Sequence, residues 1–113
     1  MKIKTSEKYE AVVVELKGNV MGGDDTKDFN DLLHKLIDEG KKKVVLDLSE
    51  VKFMNSSGLG MLISGLTSMK KNDGVLKLAG ATEKIESLLI ITKLITIFES
   101  YDSVDEAVKS FSN

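Results

Sequence analysis

The 113-residue sequence contains no cysteine, no proline and a single histidine, His34. The first absence rules out disulfides and thiolate metal sites. One histidine leaves a histidine-rich zinc site short of ligands. With no proline, no linker composition, no internal repeat and no low-complexity tract, nothing divides the chain. Its length suits one compact domain and not two, so residues 1–113 are expected to form a single domain. No apolar run approaches the roughly 20 residues that span a membrane, and residues 1–7 carry no apolar core of signal-peptide length. A formal charge of −2 creates no net attraction toward nucleic acid or an anionic membrane. Lys41-Lys42-Lys43 is the densest basic run, and its place between a helix and a strand makes it a solvated turn. The simplest expectation is a cytoplasmic protein with neither nucleic acid nor membrane as partner.

What is present is an alternation of strand and helix patterns. Residues 3–5 read as a short edge strand, residues 6–8 as a hairpin turn, and residues 9–17, with Val12-Val13-Val14, as a second strand. Residues 18–23 form a glycine-bearing loop. Asp24 or Asp25 is expected to cap a helix whose apolar stripe is Phe29, Leu32, Leu33, Leu36 and Ile37 and which Gly40 ends. Residues 43–48 contain Val44-Val45-Leu46, a strand buried on both faces. A central helix follows, with Leu59, Leu62, Ile63, Leu66 and Met69 at three- and four-residue spacing. Asn72-Asp73-Gly74 is a turn and residues 75–79 a strand. Thr82 caps a short helix with Ile85, Leu88 and Leu89 inward, and residues 95–98 read as a last strand. Asp102 or Ser103 caps a terminal helix carrying Val104, Ala107, Val108 and Phe111. The pattern predicts an α/β fold: a mixed, mostly parallel sheet of about four or five strands opened by the hairpin, with about four helices.

The stretch from Asp47 to Gly60 joins the buried strand to the central helix. Asn55, Ser56 and Ser57 stand where that helix starts, and all three are favoured N-cap residues. A hydroxyl there lies beside backbone N–H groups without intrahelical partners. A phosphate placed on it would meet those groups and the positive end of the helix dipole. Serine caps are common, so on position alone a plain capping role, worth about 1 kcal/mol, is the simpler account.

Other chemistries fit less well. Gly58-Leu59-Gly60 lacks the third glycine of a dinucleotide fingerprint and follows the wrong element; its role is to let another backbone approach the helix start. A serine hydrolase needs a base within reach and usually a Gly-x-Ser-x-Gly elbow, which is missing, while His34 falls mid-helix on the surface. Asp47 as a phospho-acceptor would need further carboxylates for Mg²⁺, and the strand ending at Lys17-Gly18 offers no acidic pair. Asp47 is expected to hydrogen-bond nearby backbone.

Asp47-Leu48-Ser49 followed by Phe53-Met54-Asn55-Ser56-Ser57-Gly58-Leu59-Gly60 resembles the signature of the STAS domain and, within it, of the bacterial anti-sigma factor antagonists. The likeness covers essentially the whole chain, including the opening hairpin, Gly18 and the C-terminal Ser103-to-Ala107 run. It implies a phosphorylatable protein-binding switch and not an enzyme. Ser56 matches the phosphorylated serine, with Ser57 as second choice. Met21, Gly22, Gly23, Asp24, Asp25, Asn55, Ser57 and Gly58 would line the partner-binding surface. The implied partners are an ATP-dependent anti-sigma factor serine kinase, bound by the unphosphorylated form, and a PP2C-type phosphatase that restores it. The chain itself would hold no cofactor and no metal, and would be a monomer or weak dimer. The rival implication is a STAS adaptor in a transporter or stressosome-like assembly. Two departures from the family pattern stand out: Asn55 replaces an aspartate, and Met21-Gly22-Gly23 replaces a Gly-Glu-Leu-Asp-type loop.

Overall fold

A computed structural model describes residues 1–112. Strand β1 (Lys2–Lys8) pairs antiparallel with β2 (Ala11–Val20). Helix α1 (Asp24–Asp38), strand β3 (Lys43–Met54), helix α2 (Ser56–Lys71), strand β4 (Val75–Ala79), helix α3 (Glu83–Ile91), strand β5 (Glu99–Tyr101) and helix α4 (Val104–Lys109) follow. The sheet order is β1-β2-β3-β4-β5, and every neighbour after the hairpin is parallel. This is the expected mixed α/β architecture.

The order determines where the helices lie. A right-handed crossover between adjacent parallel strands, always stepping the same way, puts each connecting helix on the same side. One face of the sheet accordingly packs Val14, Leu46 and Leu78 against Phe29 and Leu33 of α1, Leu62 and Met69 of α2, and Ile85 and Leu89 of α3. The other face receives α4, whose Ala107 and Val108 cover Ala11, Val13, Val45 and Ala79, with Phe111 packed beside them. Val44, Val45 and Leu46 are fully buried, as a strand covered on both sides must be.

Several local boundaries differ from the sequence expectation, and pairing explains most of them. The hairpin turn falls on Tyr9 and Glu10, not on residues 6–8, because β1 pairs without interruption from Lys2↔Lys17 to Lys8↔Ala11. Ladder hydrogen bonds outweigh the polar composition of Ser6-Glu7-Lys8. Strand β2 runs through Gly18 to Val20, and β3 runs past residue 48 to Met54, because two register shifts let Val51 pair with Gly18 and Met54 with Val20. The strand expected over residues 95–98 is a 3₁₀ turn, Leu94–Thr96, followed by buried Phe98; the fifth strand is the polar Glu99–Tyr101, at the sheet edge. Helix α1 is preceded by Gly23 with no side-chain cap; Asp24 and Asp25 lie in its first turn, where carboxylates favour the dipole. Thr82 and Ser103 cap α3 and α4 through their hydroxyls. Helix α2 buries a wider face than its stripe suggested, adding Gly58, Met61 and Gly65, because it packs against both the sheet and α1.

Candidate functional site

The start of α2 is built by close packing at the ends of β2 and β3. Asn55 leaves Met54 in an extended conformation (φ −101°, ψ −176°), and its side-chain oxygen accepts the Gly58 N–H at 2.8 Å. Asn55 is therefore the N-cap, and Ser56 and Ser57 are the first two residues of the helix, not its cap. The Leu59 N–H goes to the Asn55 carbonyl at 2.9 Å, while Asn55 itself donates to the Val20 carbonyl at 3.3 Å. Of the four first-turn donors, those of Ser56 and Ser57 have no hydrogen-bond partner among the described residues. Both serines are exposed. The first turn of α2 holds no acidic residue, so the dipole there is uncompensated.

Two glycines make this approach possible. A Cβ on Gly58 would lie 2.1 Å from the Val20 carbonyl oxygen and 2.9 Å from the Met54 side chain, so the helix start presses directly onto the end of β2. This is the close backbone approach expected of Gly58. Gly22, at φ 78°, fits against Ser57 so tightly that a Cβ would lie 2.6 Å from the serine Cβ. The loop of residues 21–23 is thereby seated on Ser57. A third glycine, Gly65, lets α1 come up to α2: a Cβ there would meet Phe29 at 2.7 Å and Leu33 at 2.9 Å.

The structure thus brings residues 21–25 and 55–58 into one surface. Their shares of it differ. Met21, Gly23, Asp24, Ser56 and Ser57 are exposed; Asp25 and Asn55 are half-buried; Gly22 and Gly58 are buried and act by shaping the backbone. Asp25 also lies 3.5 Å from the amino group of Met1. Asp47 accepts the Ser49 N–H at 3.0 Å, the backbone hydrogen bond expected of it, within the continuing strand. His34 is exposed on α1.

Sequence reasoning missed the neighbour of this surface. Phe53, immediately before Met54 and Asn55, is 40% exposed, and Ile91 at the end of α3 is 78% exposed. With Met54, Lys84, Ile85 and Leu88 they line an apolar groove of about 180 Å³, and the Lys84 ammonium sits 5.1 Å from the Phe53 ring centre. The available signal was Ile90-Ile91, which extends beyond the inward stripe of α3.

A family model for the STAS domain matches residues 2–107. A Thermotoga maritima protein assigned as an anti-sigma factor antagonist is 32% identical over 75 residues, 66% of this chain and 66% of its own length. An anti-sigma-B factor antagonist of Staphylococcus epidermidis is 33% identical over 67 residues, 59% of this chain and 62% of its own. The aligned stretch thus spans just under two thirds of these relatives. The crystal structure of a Thermotoga maritima protein of the same assignment superposes with a TM-score of 0.88 at 22% identity, covering 98% of this chain and 95% of that one. The anti-sigma factor antagonist SpoIIAA matches in its unphosphorylated form, at TM-score 0.73 and 16% identity over 99% of both chains. Its phosphorylated form, from Bacillus, matches with the same score and identity over 97% of this chain and 99% of that one. At such identities the structural likeness is one of fold.

Proposed function

The chain belongs to the STAS domain family, and on that premise we propose that it is an anti-sigma factor antagonist switched by phosphorylation of Ser56. The observation that carries this reading is an exposed serine at the first position of α2, beside two unpartnered N–H groups and a cap that is already satisfied. The relatives named as anti-sigma factor antagonists support the partner class, and SpoIIAA, solved with and without its phosphate, supports the compatibility of this fold with the modification.

The unphosphorylated chain binds an anti-sigma factor that is also a serine kinase, and the sigma factor is released. The kinase brings ATP and Mg²⁺; the Ser56 hydroxyl loses its proton, its oxygen takes the γ-phosphoryl group, and ADP leaves. A PP2C-type phosphatase reverses the state by hydrolysis. Phosphate adds roughly −1.5 to −2 charges and three acceptor oxygens at the helix start. The dipole and the free N–H groups of Ser56 and Ser57 accommodate it without refolding. A docked partner, complementary to a neutral hydroxyl, meets new bulk and charge. A loss of about 3 kcal/mol lowers affinity roughly a hundredfold. Ser56 is preferred over Ser57 because the loop of residues 21–23 walls the Ser57 stem. Asn55, being neutral, puts no carboxylate beside the new phosphate. The exposed Met21 and the Phe53–Ile91 groove extend the docking surface on either side.

Intact-mass spectrometry of the protein from its native cells, with and without phosphatase, tests this reading. It expects one phosphatase-sensitive phosphate that fragments to Ser56, and a Ser56→Asp chain that folds normally and fails to capture the kinase. Phosphate-free protein under all growth conditions would leave Ser56 a surface residue and favour a constitutive adaptor.

A further inference from the structure

The hairpin and the end of α4 lie at the opposite end of the sheet from Ser56, since β2 and β3 start there and end at the phosphorylatable helix. Tyr9 heads the hairpin at φ 55°, a conformation that residues other than glycine seldom adopt. The residue is 87% exposed, the most exposed of the large apolar residues described. Beside it opens a cavity of about 190 Å³ lined by Tyr9, Glu10, Ala11, Val108, Lys109 and Phe111. The walls are held in place: Ala11 and Val108 are buried in the second core cluster, and an ion pair from Lys8 to Asp105 ties the hairpin to α4.

This end is complementary to itself. A twofold contact needs one patch to carry both a projection and a receptor, because residue i meets residue j twice. Tyr9 is the projection, and the cavity is the receptor: apolar cavities of about 150 Å³ accept a benzene ring. The rim carries opposite charges in Glu10 and Lys109. Lys43 donates a 2.7 Å hydrogen bond to Glu10 and with its charge holds that carboxyl below the ordinary range, so Glu10 is an anion at neutral pH. We propose that two copies of the chain associate about a twofold axis through this end, the Tyr9 ring of each seated in the other's cavity and Glu10 facing the partner's Lys109.

The association is weak. Stable interfaces use roughly 20–30 residues a side, many more than line this patch. It leaves both Ser56 hydroxyls at the far ends of the pair, so a partner docking there does not compete with self-association. Self-association through this end does not depend on whether Ser56 is phosphorylated.

Sedimentation velocity of the full chain from about 10 µM to about 1 mM tests it. The weight-average sedimentation coefficient should rise with concentration toward that of a dimer. Tyr9→Gly should abolish the rise and raise the thermal midpoint, because glycine tolerates the turn's positive φ; that pairing separates a lost contact from a lost fold. Glu10→Lys should weaken association roughly tenfold, and the double change Glu10→Lys with Lys109→Glu should restore it. A chain that stays monomeric throughout, a rise that survives Tyr9→Gly, or a charge swap that restores nothing would each overturn the proposal.

Discussion

Three helices cover one face of the sheet and bury Phe29, Leu33, Leu46, Leu62 and Leu89 completely, whereas the six-residue α4 covers the other with little more than Ala107 and Val108. Lys77, the one buried charged residue among those described, belongs to the second face. Its ammonium donates to the Ser110 hydroxyl at 2.6 Å, lies 3.7 Å from Glu99 and sits 4.2 Å from the centre of the Phe111 ring. The difference arises from topology. Connections that always step the same way place their helices on the first face, and among the described residues the second face is covered by the segment that follows β5. Helix α4 buries only the small side chains of Ala107 and Val108 there, and a lysine, a serine and an aromatic ring help to hold it.

Substitutions on the two faces should therefore differ in cost. Phe29→Ala on the first face should cost about 4 kcal/mol and lower the thermal midpoint by about 20 °C in calorimetry. A loss of only a few degrees would mean that the main core does not centre on α1 and its side of the sheet. Gly58→Ala should cost about 3 kcal/mol, because the added methyl meets the Val20 carbonyl and cannot move away without shifting α2. Lys77→Ala on the second face should cost about 2 kcal/mol, less than the Phe29 change. Hydrogen exchange should then accelerate in α4 before α1, since the loss is local; uniform acceleration would show the two faces to be one cooperative unit. Asn55→Ala should cost about 1 kcal/mol in chemical denaturation, the worth of a lost N-cap.

Much of the fold was legible from residue order. The apolar stripes of α1 and α2 and the doubly covered Val44-Val45-Leu46 strand emerge from periodicity, since burial of one face is a local pattern. The Thr82 cap and the Asn72-Asp73-Gly74 turn emerge from backbone chemistry that neighbouring residues decide. Strand ends were not legible. Ser49, Glu50 and Lys52 are polar and read as loop, yet they belong to β3 because β2 offers a bulged partner. The polar Glu99–Tyr101 strand exists for the same reason, as an edge added to β4.

At the candidate site, the sequence by itself determined that a polar trio, two of its members bearing hydroxyls, would open the central helix and that Gly58 would admit a close backbone. Those are properties of side-chain type and local conformation. Only the tertiary structure decided that Asn55 takes the cap and leaves both serines exposed, that Gly22 lies against Ser57, and that Phe53 and Ile91 flank the same surface. Each of those outcomes depends on contacts between segments distant in the chain, and a distance in space is not encoded in the residues on either side of a helix start.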